Sequence, residues 1–311
     1  MQANSYEIGS NPKECVIFPE NQWIETSSTG SEDACNCYFV PGGTGNAPQH
    51  LHNAGMSLID LHHAHATLED HGVATLTFRN AGSLNILSSP VLTDLAQAFD
   101  ALSKDERIRV LVLRGSGDKA FVAGADIKEM RGLNADNAAA FITRLRTVCE
   151  AARQFPTPVI ARLPGWTLGG GLELACACDI RIASNRVQCG MPEVKVGIPS
   201  VIHAALLPRL IGAARAQWLL LTGDNIDAAQ SLQWGLLDHV VAPDRLDEEV
   251  ERLAKQLAGY GPQALRQQKR MLRAWEKQSI DSAIDESVQE FANAFKTGEP
   301  QTYMASFGAK H

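Results

Sequence analysis

The chain has 311 residues, 45% of them hydrophobic and 20% charged, with a formal net charge of -7 at pH 7. That length allows one large domain with appendages or two modest ones, and the mild acidity argues against a general binder of nucleic acid or anionic membrane. The sequence contains no run of eighteen apolar residues and no basic-then-apolar N-terminus, so the expectation is a cytoplasmic protein with no membrane or nucleic-acid partner.

Residues 1 to about 55 lack periodicity and are rich in Ser, Asn, Gly and Pro, which predicts a loosely attached leader ahead of Met56. His50, His52, His62, His63, His65 and His71 crowd the approach to the first clear strand. Few carboxylates or cysteines accompany them, so they read as a polar approach and not as a metal site. The seven cysteines have irregular spacing, and Cys35-Asn36-Cys37 is not a C-x-x-C pair. Four fall in apolar segments, which predicts buried, reduced thiols.

Val73 to Phe78 alternates like a strand and breaks at Arg79-Asn80-Ala81-Gly82. Pro90 to Leu102 reads as a helix with Leu92, Leu95, Phe99 and Leu102 on one face. Val110 to Leu113 is continuously apolar, as for a strand covered on both sides. The loop Gly115-Ser116-Gly117-Asp118-Lys119 lacks the spacing of a phosphate loop. Beyond it, small residues at Ala123, Gly124 and Ala125 would let a ligand reach main-chain N–H groups. The same residues also suit a strand-to-helix turn capped by Asp126.

A helix over Ala138 to Phe155 and a short strand at Val159 to Ala161 lead into the most informative stretch, Leu163 to Glu193. There Gly169, Gly170 and Gly171 precede an apolar helix, with Glu173 in its first turn. Glycines at a helix start let free N–H groups approach an anion closely. Glu193 follows Met191-Pro192 just past a strand end, so the stretch offers a donor and two candidate acid/base groups. Dipole complementarity at Glu173 and a surface carboxylate at Glu193 are the plainer alternatives. Strands are expected at Asp179 to Ser184, Arg186 to Met191 and Asp238 to Val241, with helices beyond Gly223. Leu246, Val250, Leu253 and Leu257 form one apolar stripe; further helices open at Pro262 and run from Ile280 to Phe295.

Taken in order, these motifs resemble the crotonase superfamily, and within it the enoyl-CoA hydratases, from about Val73 to Lys310. The resemblance rests on Arg79-Asn80, Leu84 to Leu87, Lys119 to Met130, Phe155 to Ala161, Leu168 to Ala175, Cys178 to Ala183, Gly190 to Glu193, Leu221 to Asp224 and Trp234 to Leu237. It implies an α/β fold: a ββα-spiral core with a helical C-terminal trimerisation region, assembled as a homotrimer or a dimer of trimers. The expected divisions are an N-terminal extension over 1–65, the core over 66–242 and the helical region over 243–311. The implied chemistry is a step of fatty acid metabolism. Water adds to a 2-trans-enoyl-CoA, the enolate being held by the N–H groups of Ala125 and Gly170. Glu173 would take a proton from water and Glu193 would deliver one to the substrate. Ala123, Asp126, Ile127, Lys128 and Gly169 would line the substrate, and Phe307 and Lys310 would reach coenzyme A on a neighbouring subunit. Lys119 is a further candidate cation for the phosphates. Coenzyme A is part of the substrate, so no cofactor and no metal are expected.

One segment departs from the family pattern. Where hydratases carry a glycine-rich turn ending in G-G-T-x-R-L, this chain has bulky Val201, Ile202 and His203. Ile202 and His203 are therefore candidate pocket residues, with an internal hydrogen bond as the alternative for His203. The departure keeps open another crotonase-type reaction: isomerase, lyase or thioester hydrolase. A noncatalytic CoA- or RNA-binding relative is the remaining alternative.

Overall fold

The computed structural model describes residues 55–307. It opens on an antiparallel meander of β1 (Met56–Asp60), β2 (Ala64–Leu68) and β3 (Val73–Phe78). Residues 56–65, expected in the loose extension, therefore carry a whole strand and the start of a second. The inward face of β2 is Ala64, Ala66 and Leu68, with histidine and threonine between them. Alanines carry that alternation, so its strand signal is weak. The expected leader over residues 1–54 lies outside the described residues.

α1 (Ser89–Ser103) buries Val91, Leu92, Leu95, Ala98, Phe99 and Leu102, the stripe that the sequence shows. From there the chain repeats one move. β4 (Val110–Gly115) joins the large sheet, β5 (Ala120–Val122) starts a smaller one, and α2 (Ile127–Met130) and α3 (Ala138–Arg153) return the chain. β6 (Val159–Leu163) and β7 (Trp166–Leu168) repeat the pair, followed by α4 (Gly170–Ala177). β8 (Ile180–Ser184) and β9 (Gln188–Gly190) make the third pair. Two 3₁₀ turns, Pro192–Val196 and Ile202–Leu206, lead to α5 (Leu207–Ile211) and α6 (Ala213–Thr222). β10 (Asn225–Asp227), α7 (Ala228–Gln233) and β11 (His239–Val241) close the core. α8 (Leu246–Ala258), α9 (Pro262–Trp275), α10 (Ile280–Ala294) and α11 (Glu299–Phe307) follow.

The large sheet has seven strands in the order β1-β2-β3-β4-β6-β8-β11, and the small one four in the order β10-β9-β7-β5. β4, β6, β8 and β11 are parallel neighbours. Both faces of this part are covered, which accounts for its unbroken apolar runs. Val110, Val112, Ile160 and Ile182 meet Leu246, Val250 and Ala254 of α8. Leu111, Leu113, Val159 and Ala161 face the main core with α1 and α3. The charged hub across this interface is Arg162, buried and paired at 2.6 Å with both Asp118 and Asp247.

The small sheet positions the site. β5, β7 and β9 run parallel, with Val122 opposite Thr167 and Leu168 opposite Gly190. Their C-terminal ends therefore lie side by side, where ligands of parallel sheets commonly bind. The segments leaving those ends are 123–126, 169–173 and 191–193, which carry most of the sequence-selected residues.

Candidate active site

Ala125 is aimed by its neighbours. Leu87 N–H donates to the Gly124 carbonyl at 3.0 Å, and Asp126 N–H donates to the Leu87 carbonyl at 3.1 Å. In a trans peptide, the carbonyl of one residue and the N–H of the next point opposite ways. The Ala125 N–H consequently faces away from Leu87. Asp126 caps α2, accepting from the N–H groups of Lys128 at 2.8 Å and Glu129 at 3.4 Å. The Asp126 cap that the sequence allows is made, and it leaves room for a donor at Ala125. Asn85 braces it: buried, with φ 52°, it donates from Nδ2 to the carbonyls of Ser116 and Ala120.

Each glycine of the triplet has its own reason. Gly169 has φ 53°, and a Cβ there would lie 2.5 Å from Glu193 Oε1. Gly170 is the first residue of α4, so its N–H has no acceptor one turn back within the helix. A Cβ at Gly171 would stand 2.2 Å from the Val122 carbonyl oxygen, so only glycine lets α4 start against the end of β5. Gly124 lies against the Leu168 carbonyl, within 3.6 Å of where its own Cβ would be. The segments around Gly124 and Gly169 thus run beside each other.

Glu173 is 3% exposed in the first turn of α4. Burial pushes its carboxyl up to about 8; the Ala204 and His203 N–H groups pull it down, and the charge of Glu193 raises it. Ala204 N–H reaches Glu173 Oε1 at 2.9 Å. Glu193 sits in the turn Pro192–Val196, and burial raises it as well, opposed by its own main chain and by Ser200. Ser200 Oγ donates to Glu193 Oε2 at 2.9 Å. With Glu173 buried and Glu193 half-buried, desolvation disfavours both being ionised at once. Such a pair can give one proton and take another.

The divergent segment thus touches both acids, through Ser200 and through Ala204. Between these contacts, Ile202 has φ 40°. For a β-branched residue that backbone costs roughly 1–3 kcal/mol and persists only where its surroundings impose it. His203 is 7% exposed, and its Nε2 lies 3.1 Å from Glu150 Oε2 on α3. The internal hydrogen bond weighed for His203 is the contact made. Ile202 packs, half-buried, against the main core. Ser200, Glu150 and Asn85 carry no role in the sequence reading, because contacts across 7 to 53 positions leave no periodic signature.

The Ala123 N–H is used by the Leu84 carbonyl at 3.0 Å. Ile127 is 53% exposed, and Lys128 and Lys119 are exposed. The Phe307 side chain and Lys310 lie outside the described residues. Cys149, Cys176, Cys178 and Cys189 are free and buried, as expected, with burial pushing the thiols of the last three up to about 12. Among the described residues no three His, Cys, Asp or Glu side chains gather as a metal site, and no helix is long and apolar enough to cross a membrane.

Residues 69–310 match the family model described as enoyl-CoA hydratase/isomerase. The chain is 35% identical over 240 residues to a crotonyl-CoA hydratase of Syntrophomonas wolfei, covering 77% of this chain and 92% of that one. It is 34% identical over 242 residues to a short-chain-enoyl-CoA hydratase of Clostridium acetobutylicum, covering 77% and 93%. Among solved structures, the enoyl-CoA hydratase of Bacillus anthracis superposes with a TM-score of 0.75 at 30% identity, covering 82% of this chain and 96% of that one.

Proposed function

The chain belongs to the enoyl-CoA hydratase/isomerase family, and on that premise we propose that it adds water across the double bond of a 2-trans-enoyl-CoA to give a 3-hydroxyacyl-CoA. The observation that carries this reading is the placing of two carboxyls, buried Glu173 and half-buried Glu193, just past the ends of the adjacent strands β7 and β9, with Gly169 packed against Glu193 and the Ala204 N–H on Glu173. Both relatives named above are hydratases by name.

In this reading the thioester oxygen takes the N–H groups of Ala125 and Gly170. Preorganised donors of this kind commonly contribute about 3–4 kcal/mol each as charge develops on oxygen. The water oxygen bonds to C3 while one carboxylate takes its proton. The electrons of the π bond move onto the enolate, and its collapse takes a proton at C2 from the other carboxyl. The pair ends with its single proton on the opposite partner. By resemblance Glu173 is the base and Glu193 the acid. Burial raises both carboxyls, Glu173 up to about 8, so hydration in this reading uses the state with Glu173 ionised and Glu193 protonated. The pH profile of kcat/KM then belongs to the pair and not to either residue.

By the same resemblance the subunits form a homo-oligomer, with Phe307 and Lys310 reaching coenzyme A on a neighbour. Loss of enoyl-thioester absorbance from crotonyl-CoA tests the reaction, and the product separates the readings. A 3-hydroxy product supports hydration. A shifted double bond would favour isomerisation, the alternative that bulky Val201 and Ile202 keep in play. Binding of coenzyme A without turnover of short, medium or branched enoyl-CoAs would overturn the enzyme assignment.

A further inference from the structure

The turn Ile202–Leu206 supplies the N–H groups that hold Glu173, yet it begins on a backbone that isoleucine rarely adopts. Upstream it is tied by Ser200 to Glu193. From within the turn, the His203 ring ties it by a side chain to α3, through Glu150. We propose that His203 is a positioning residue for the hydration reaction: docked on α3 through Glu150, it keeps the strained turn seated so that Ala204 and His203 present their N–H groups to Glu173.

Glu150 is well suited as an anchor. Its carboxylate also takes Arg153 Nη1 at 3.0 Å and Gln154 Nε2 at 2.9 Å. These partners hold it ionised despite the burial that opposes them. An ionised carboxylate only accepts, so the imidazole presents Nε2–H to it. Burial holds the ring below its usual range, consistent with a neutral ring whose buried Nδ1 has no protein partner among the described residues. Behind Glu150 the ion pairs continue. Arg153 pairs with Glu276, Glu276 with Arg273 at 2.6 Å, Arg273 with Asp179 at 2.6 Å, and Asp179 with Lys269 at 2.6 Å. Arg209, just past the turn, donates to the Glu276 carbonyl at 2.9 Å. The anchor is therefore fixed to α9 and to the start of β8, and cannot drift with the loop.

The inference rests on the hydratase reading, and its test separates the two. The variants are His203→Ala, Glu150→Ala and His203→Gln; glutamine keeps an N–H that can reach Glu150. Glu150 has 41% of its side chain exposed, so its replacement leaves a folded protein if that of His203 does not. The first readout is the infrared band of the protonated Glu173 carboxyl, assigned by its loss in Glu173→Gln and titrated against pH. The titratable groups facing Glu173 are Glu193 across the site and the thiols of Cys149 on α3 and Cys176 on its own helix, which burial keeps protonated. The three variants alter none of these. Both alanine variants are expected to raise the band's midpoint, since the withdrawn N–H groups favour the carboxylate, and His203→Gln to restore it. The second readout is crotonyl-CoA turnover: kcat falling about 10- to 100-fold with KM little changed in the alanine variants, as for a misplaced catalytic group. A midpoint and kcat equal to the parent's in folded Glu150→Ala, or the same loss in His203→Gln as in His203→Ala, would overturn the proposal. A parent that hydrates no enoyl-CoA sinks the hydratase reading, while the infrared titration still decides the role of His203.

Discussion

Opposed forces meet at Glu173, where burial disfavours the charge that the Ala204 and His203 N–H groups favour, and burial wins. The consequence for stability has a definite sign. With the folded-state value near 8 and the unfolded one near 4.5, the folded chain binds more protons between those limits, so stability falls as pH rises through that window. Glu173→Gln, which keeps an acceptor for Ala204 and removes the charge, is expected to be more stable than the parent at pH 9. A gain of at least ~1 kcal/mol, about 2–4 °C in Tm, should fade towards pH 4.5. Thermal unfolding of both proteins across that range checks it; a gain that is the same at every pH would contradict the electrostatic account. At this scale the sequence is legible where function uses a local motif. Glycines before Glu173 and a carboxylate after a strand are visible in the chain itself. The partners that set their behaviour, Ser200, Glu150 and the N–H of Ala204, are not, because only folding brings them near.

Elements divide the same way. Long apolar stretches such as Val110–Gly115 and Ser89–Ser103 are readable, since periodicity accumulates over their length. β5, β7 and β10 have three residues each, too few for a pattern, so of the second sheet that lines up the site only β9, inside the expected strand Arg186 to Met191, is legible. β2 is hidden for a different reason, its inward face being mostly alanine. The junction of α4 with β5 tests how closely these elements must meet. In Gly171→Ala the new methyl has no room against the Val122 main chain, which must shift. Overpacking of this kind costs about 1–3 kcal/mol, and a displacement near 1 Å at the donor about 100-fold in rate. Denaturant unfolding and crotonyl-CoA kinetics on the same preparation measure both, and an unaffected kcat would show that the donor geometry is looser than the contacts imply.

For the whole molecule, the family fold and the helical C-terminal part are legible in the order of motifs, while the subunit arrangement is a proposal. Ile280, Ile284, Val288 and Phe291 lie on one face of α10 and are between 59% and 79% exposed in the single chain. An apolar stripe of that kind suits a subunit contact. Ile284→Glu with Val288→Glu is expected to reduce the light-scattering mass to that of one chain; an unchanged assembly would place the contact elsewhere. The central claim is that Glu173 and Glu193 act as one proton-transfer unit, and the most direct measurement is a double-mutant cycle on crotonyl-CoA hydration. Each of Glu173→Gln and Glu193→Gln should lower kcat by about 10²–10⁴-fold with product-CoA binding retained, and the double variant should fall little below the slower single one. Either single variant hydrating at the parent's rate, or losses that simply multiply in the double variant, would contradict it.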